Sequence, residues 1–121
     1  MGEKKFEFEY DKVTPLEKRQ KEIETIREKH PDKIPIIAEA KPGSILSITK
    51  KKFLVPADLT VGSFMFELRK RMNLGPEAAL FIFINNNIIP PTGSLLGDIY
   101  KKFKDIDGFL KITFCEENVF G

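Results

Sequence analysis

Hydrophobic and polar positions follow two periods along this chain, and each period predicts a kind of structural element. Near the start, residues 3–12 alternate charged side chains with Phe6, Phe8 and Tyr10, a period of two that favours a short strand. Four later segments are short and largely apolar, and two segments have the apolar spacing of a helix. We predict strands at residues 34–38, 50–55, 80–84 and 109–114, and helices at residues 60–72 and 95–103.

A further helix is predicted before the first of these strands. Residues 14–17 have the form of a capping box, with Thr14 as the cap, Pro15 in the first helical position and Glu17 able to reach back to the Thr14 amide. The helix should end at about His30, because Pro31 follows. Its apolar stripe is thin, so we expect it to lie on a domain rather than inside one.

The order of elements predicts a fold. A hairpin, a crossing helix, two further strands and a second helix give an α+β architecture, the ubiquitin-like β-grasp, with a four-stranded mixed sheet crossed by helices. Residues 1–30 would form an N-terminal helical extension packed on this core. Residues 31–121 would form the β-grasp domain as one compact unit.

Composition narrows the class of protein. The 121 residues leave room for one domain, and 41% are hydrophobic, which is enough for a core. The formal net charge of +2 is too small to predict nucleic-acid binding. Cys115 is the only cysteine, which suits a reducing compartment, and no apolar run approaches the ~20 residues that span a bilayer. We therefore expect a cytoplasmic protein.

Several stretches resemble the GABARAP-type autophagy modifiers, the light-chain-3-like family of ubiquitin-fold proteins. The resemblance runs from about residue 14 to the last residue and is carried by residues 15–19 (PLEKR), 50–62 (KKKFLVPADLTVG), 69–71 (RKR), 90–92 (PPT) and 120–121 (FG). It implies a β-grasp core with N-terminal helices. It also implies that the C-terminal glycine is activated by ubiquitin-type activating and conjugating enzymes and joined to phosphatidylethanolamine. The protein would then lie on autophagosomal membranes and recruit cargo receptors and adaptors that carry an aromatic-x-x-aliphatic motif.

Gly121 is the residue that this resemblance marks for lipid conjugation. A carboxylate that passes from adenylate to thioester to amine must enter narrow active sites, and glycine adds no side-chain bulk. The alternative is that the glycine marks only an arbitrary end of the chain. Precursors in the family often continue beyond this glycine and are trimmed by a cysteine protease, so the resemblance implies a processing cysteine protease as a further partner.

The predicted edge strand at residues 50–55 is the candidate surface for peptides. At a sheet edge, the unpaired N–H and C=O groups of Lys50, Lys51, Lys52, Phe53, Leu54 and Val55 could accept an extended peptide as an extra strand. The three lysines could instead protect the edge from aggregation, and both roles are compatible. A basic edge would also attract motifs with acidic flanks.

The resemblance places two pockets beside this strand. The pocket for the aromatic side chain would be lined by Glu22, Ile26, Pro35, Lys52, Leu54 and Phe109. The pocket for the aliphatic side chain would be lined by Phe53, Val55, Pro56, Leu59, Phe64, Glu67 and Leu68, with Arg71 near its rim. Periodicity alone leaves Leu59, Phe64 and Leu68 open to a second interpretation as ordinary core. Glu67 departs from the aliphatic residue of several relatives, which would make the second pocket smaller or more polar.

An enzyme is the weakest of the functional hypotheses. His30 is expected to be a solvated residue at a helix end, and Cys115 to be a packed thiol. The sequence has no metal-ligand spacing, phosphate-binding glycine loop or catalytic triad, so we predict no cofactor and no catalytic residue. The stronger rival is an unconjugated adaptor of the same fold that serves trafficking or cytoskeletal partners.

Overall fold

The computed structural model describes residues 7–72, 74–75, 77–85 and 87–116. These residues form eight elements in the order helix, helix, strand, strand, helix, strand, helix, strand. They are α1 (Glu9–Val13), α2 (Leu16–Lys29), β1 (Lys33–Ala40), β2 (Lys52–Pro56), α3 (Val61–Met72), β3 (Phe81–Ile84), α4 (Leu96–Phe103) and β4 (Leu110–Cys115).

The four strands form one mixed sheet in the order β2-β1-β4-β3. β1 and β2 make an antiparallel hairpin, β4 lies parallel to β1, and β3 lies antiparallel to β4. The predicted ubiquitin-like fold, with its mixed sheet and crossing helices, is confirmed. β2 forms one edge of the sheet and has β1 as its only neighbour in that order.

Helices cover both faces of the sheet because β1 is apolar on both sides. The larger core joins Ile36 and Ala38 of β1 to α3 and α4, through residues such as Phe64 and Leu96. The smaller core lies on the opposite face and joins Ile37 to the N-terminal helices. It contains Phe8, Tyr10, Ile23, Ile37 and Phe109. Alternate residues of one strand thus supply two separate cores.

The N-terminal segment differs from its sequence prediction in two respects. The period of two at residues 3–12 predicted a strand, which is wrong for the described part, where Glu9–Val13 is a helix. The predicted capping box is also wrong, because α2 begins at Leu16 and no side chain caps it. Thr14 instead ends α1, and its amide donates to the carbonyl of Tyr10 at 3.1 Å.

The edge strand is shorter at its start than predicted. β2 begins at Lys52, so Lys50 and Lys51 precede the strand, although the Lys51 carbonyl still accepts the Ala38 amide at 2.9 Å. Since strand residues alternate sides, Pro35 turns its missing N–H towards β4, whose pairing begins one residue later at Ile36. The proline therefore costs the sheet no hydrogen bond.

Candidate peptide-binding edge

The outer side of β2 carries backbone groups that β1 does not use. The hydrogen bond between Ala38 and Lys51 fixes the alternation, so Phe53 and Val55 turn their backbone groups towards β1. Lys52 and Leu54 consequently direct their N–H and C=O groups away from the sheet. An extended chain lying beside β2 would meet these groups first.

A cavity of about 340 Å³ adjoins this strand, between α2 and the sheet. It contains five of the six residues predicted for the aromatic pocket: Glu22, Ile26, Lys52, Leu54 and Phe109. The sixth, Pro35, is buried and lines a neighbouring cavity of about 320 Å³ that also includes Ile26. Two further residues line the first cavity, Lys50 and Phe53, neither of which was predicted for this pocket.

Glu22 and Lys52 set the charge at the mouth of this cavity. The Lys52 Nζ lies 2.6 Å from Glu22 Oε2, and the Tyr10 hydroxyl donates to Glu22 Oε1 at 2.6 Å. Burial, followed by the hydrogen bond to Glu22, raises the pKa of Tyr10. An acidic ligand would therefore compete with Glu22 for the Lys52 ammonium.

Sequence reasoning missed Tyr10 as a contributor to this site. Its ring lies edge-on to Phe109, with 5.3 Å between ring centroids, and its hydroxyl binds Glu22, so it supports two residues of the cavity from behind. The available signal was the pair of aromatic residues Phe8 and Tyr10 in an otherwise charged segment. That signal gave no indication of which part of the fold the segment would contact.

The residues predicted for the aliphatic pocket lie between β2 and α3. Phe53, Val55, Phe64 and Leu68 are buried in the larger core, and the Phe53 and Phe64 rings meet edge-to-face at 5.5 Å between centroids. Leu59 packs against the same core and is partly exposed, while Pro56 is exposed. Phe64 and Leu68, almost inaccessible to solvent, thus serve as core residues in this structure, which was the second interpretation open to them.

Two charged residues stand outside this buried group. The Arg71 guanidinium lies 5.4 Å from the centroid of the Phe53 ring. The Glu67 side chain is half exposed and pairs with Lys70 at 3.6 Å. An aliphatic side chain docking here would meet Phe53 and Leu59 beside these charges.

Gly121, the predicted attachment point, lies outside the described residues. The last described residue, Glu116, follows β4 and is bound by a loop that follows β1. Its carboxylate accepts hydrogen bonds from the Ser44 hydroxyl at 2.6 Å and the Ile45 amide at 3.2 Å. The hydrogen bond from Ser44, followed by those from the Glu116 and Ile45 amides, lowers the pKa of the Glu116 carboxyl.

Metal sites and membrane-spanning helices are both absent from the described residues. No group of three or more histidine, cysteine, aspartate or glutamate residues in residues 7–116, apart from the gaps given above, has the geometry of a metal site. None of the helices of this part of the chain is long and apolar enough to cross a bilayer.

The sheet is ubiquitin-like, has helices on both faces, and places the edge strand β2 beside a cavity. These features define the class: a ubiquitin-fold protein in which β2 has no second neighbouring strand among the described residues. The chain belongs to the Atg8 family of ubiquitin-like autophagy proteins, because the family model described as "Autophagy protein Atg8 ubiquitin like" matches residues 18–121. Membership implies interaction with the autophagy machinery and with membranes, and places the chain among ubiquitin-like modifiers rather than enzymes.

Individual relatives agree with this assignment. The chain is 54% identical over 108 residues to autophagy-related protein 8d of Arabidopsis thaliana, covering 88% of this chain and 89% of that protein. It is 53% identical to autophagy-related protein 8 of Aspergillus niger, covering 88% of this chain and 91% of that protein. The crystal structure of Trypanosoma brucei ATG8 superposes with a TM-score of 0.88 at 42% identity, covering 96% of this chain and all of that one.

Proposed function

We propose that this chain is an autophagy modifier of the GABARAP and light-chain-3 type that docks aromatic-x-x-aliphatic motifs on the outer side of β2. The observation that carries the proposal is the cavity of about 340 Å³ beside an edge strand with outward backbone groups. The peptide would add a strand through Lys52 and Leu54 and place its aromatic side chain between Ile26 and Phe109. Burial of two anchors contributes roughly 3–6 kcal/mol, which after association costs is compatible with micromolar affinity.

The second anchor would lie against the exposed margin of the core between β2 and α3. Phe53 and Leu59 would contact the aliphatic side chain, while the more deeply buried Phe64 and Leu68 would support the pocket from below. Arg71 and Glu67 would border it. Partners on this surface would be cargo receptors and adaptors.

A pair of substitutions tests strand addition directly. Leu54→Pro removes an N–H that points away from β1, whereas Leu54→Ala removes the same side chain and keeps that N–H. We expect Leu54→Pro to bind a peptide with the motif at least about fivefold more weakly than Leu54→Ala in calorimetric titration, with circular dichroism confirming that both variants are folded. Equal affinities would contradict strand addition.

We further propose that Gly121 is conjugated to phosphatidylethanolamine. Ubiquitin-type activating and conjugating enzymes would form the bond, after a cysteine protease has removed any residues beyond the glycine. The protein would be cytoplasmic when free and autophagosomal when lipidated. Family membership and the terminal Phe120-Gly121 support this half of the proposal.

Replacement of the glycine separates conjugation from the rival hypothesis of an unconjugated adaptor for trafficking or cytoskeletal partners. Under conjugation, Gly121→Ala should abolish membrane recruitment in cells. Wild-type protein recovered from membranes should also gain the mass of phosphatidylethanolamine less one water. Recruitment that survives the substitution, with no added mass, would favour the adaptor.

The same proposal assigns different roles to the two parts of the chain, residues 1–30 and residues 31–121. Residues 31–121 would form the ubiquitin-like domain that carries both the edge strand and the attachment point. Residues 1–30 would act as a helical extension that completes the aromatic pocket, since Glu22 and Ile26 belong to α2.

A further inference from the structure

Lys111 is a charged residue in the interior of the protein. Its side chain is 2% exposed on β4, and its Nζ lies 2.7 Å from Asp105, 2.9 Å from Asp11 and 3.0 Å from Asp107. Burial acts to lower the pKa of Lys111, but the hydrogen bonds to Asp105, Asp11 and Asp107 outweigh burial and raise it. The ammonium is therefore held in its charged form by three carboxylates.

Arg19 of α2 joins the same group of charges. Its guanidinium lies 3.1 Å from the fully buried Asp107 carboxylate and 3.3 Å from Asp11. Two cations and three carboxylates therefore form one network, which we call the Lys111 cluster: Lys111, Arg19, Asp11, Asp105 and Asp107. Asp11 is the only member that belongs to α1.

The N-terminus of α1 is held by a buried carboxylate outside the Lys111 cluster. Glu39 of β1 is almost fully buried and accepts the backbone N–H groups of Glu9 at 2.7 Å and Tyr10 at 2.8 Å. A carboxylate at this position stabilises a helix N-terminus by satisfying its free amides and opposing its dipole. A five-residue helix is too short to be stable alone, so α1 depends on these contacts to the sheet for its stability.

The docked helix reaches the candidate aromatic pocket through Tyr10. The Tyr10 ring packs on Phe109, and its hydroxyl binds Glu22, both of which line the cavity. Phe109 also donates its amide to Asp107 at 2.8 Å, and Glu22 also pairs with Lys52 at 2.6 Å. Through Tyr10, α1 adds one further contact to each of these two pocket residues.

We propose that the ion pairs of the Asp11 carboxylate, with Lys111 of β4 and Arg19 of α2, fix α1 on the rest of the fold and thereby shape the pocket for the aromatic anchor. Lys111, Asp11 and Tyr10 are then positioning residues for peptide recognition, although Lys111 and Asp11 do not line the cavity. The inference rests on the proposed function for the identity of the ligand. The attachment of α1 itself is independent of that identity.

Asp11→Asn tests the proposal, because it removes the charge that pairs with Lys111 and Arg19 and leaves Asp105 and Asp107 in place. Glu9→Gln is the matched control, since it makes the same charge change on the exposed side of α1. We expect amide exchange at Lys12 and Thr14, whose N–H groups bond within the α1 turn, to accelerate at least about tenfold in Asp11→Asn and to stay unchanged in Glu9→Gln. Asp11→Glu, which keeps the charge, should restore much of the protection.

Peptide titrations supply a readout that loss of stability alone would not produce. Asp11→Asn should weaken a peptide with the aromatic-x-x-aliphatic motif about five- to tenfold, and should weaken a peptide with leucine in the aromatic position much less. Tyr10→Phe, which keeps the ring on Phe109 and removes only the bond to Glu22, should show a smaller loss than Asp11→Asn.

The outcomes separate the two proposals. If wild-type protein does not bind the motif peptide, the proposed function fails, and the exchange rates still decide whether the ion pairs of Asp11 fix α1. If wild-type protein binds but Asp11→Asn binds equally well, the inference is overturned and the proposed function stands. Unchanged exchange at Lys12 and Thr14 in Asp11→Asn would also overturn it.

Discussion

Lys111 is a surface-type residue in the interior, and we expect its replacement to destabilise the protein strongly. Lys111→Met keeps the length of the side chain but leaves the buried Asp107 with Arg19 as its one paired cation, and breaking such a buried pair costs about 3–5 kcal/mol. Lys70→Met is the control, because Lys70 and Glu67 form a half-exposed pair of the kind that contributes less than about 1 kcal/mol. Urea denaturation should resolve the difference, and equal losses would show that the buried charges contribute no more than exposed ones.

Two glycines allow backbone strain to be separated from steric contact. Gly108 and Gly43 both have positive φ, at 97° and 90°, where a side chain costs about 1–2 kcal/mol. A Cβ at Gly108 would also lie 2.8 Å from Ile23 of α2, whereas a Cβ at Gly43 would meet no atom within 4 Å. Gly108→Ala should therefore lower the free energy of unfolding by about 1–3 kcal/mol more than Gly43→Ala. Equal melting temperatures of the two variants would contradict this packing of α2 over the loop.

Residue-level sequence reasoning failed where the partners are distant in the chain. Lys111 lies between Leu110 and Ile112 in an alternating segment, a pattern typical of a strand with one face in water, yet all of β4 is buried. Its partner Asp11 is 100 residues away, and no local pattern connects the two. Thr14 was assigned to the wrong helix because the preceding five-residue α1 is too short to show a helical period.

Among the elements, the edge strand carries the most direct prediction for ligand binding. Lys52→Glu places a second carboxylate beside Glu22 and reverses the charge at the cavity mouth. Peptides with acidic flanks should bind about tenfold more weakly, and the loss should shrink as salt is raised. Calorimetric titration at two salt concentrations measures both effects.

Lys102→Glu provides the matched control for that charge reversal. Lys102 is exposed on α4 and lies against Phe103, away from the candidate cavity. Lys102→Glu changes the net charge of the protein by the same amount as Lys52→Glu. If both variants lose affinity equally, the effect is one of overall charge and the edge-strand site is wrong.

Element boundaries were predictable where the chain itself marks them. Pro56 ends β2, Thr60 precedes α3 and accepts the Ser63 amide at 3.1 Å, and α4 ends at Phe103 as predicted. The start of β2 was placed two residues early, because the lysines at 50–52 are alike in composition. Only pairing with β1 distinguishes Lys52, which lies opposite Ile37.

For the whole molecule, the order of elements was sufficient to predict the sheet, but not the cavity. The cavity joins α2, β2 and the residue before β4, which meet only because β4 lies next to β1. The family resemblance supplied five of its residues in advance. Neither the sequence pattern nor the resemblance predicted Tyr10, because its contacts to Phe109 and Glu22 join residues far apart in the chain.

The Lys111 cluster also predicts how the stability of the molecule depends on pH. Burial acts to raise the pKa of Asp105, but the hydrogen bonds from Lys111 and the Ile106 amide, together with the charges of Lys111 and Arg19, outweigh burial and lower the pKa below 3.8. A lowered carboxyl pKa contributes stability that is fully present above the unfolded value and is lost as pH falls through the folded value. The raised pKa of Lys111 contributes stability below 10.5 that is lost as pH rises through its folded value.

Comparison of wild-type protein with Asp105→Asn tests the predicted loss of stability at low pH. The difference in unfolding free energy should stay constant from neutral pH down to about 3.8 and should diminish below that value. Asp11 and Asp107 face the same ammonium in both proteins, so their effect largely cancels in the difference. A difference that persists unchanged below 3.8 would show that Asp105 has the same pKa in the folded and unfolded chains.

The central position of β4 has a consequence for how the protein is made. β4 lies between β1 and β3, and its residues 110–114 pair with residues 36–40. During translation, β1 and β2 emerge early but lack their inner neighbour until residue 115 has left the ribosome. The nascent chain therefore exposes an apolar strand for most of its synthesis, and we expect it to need protection by chaperones until the sheet can close in one late step.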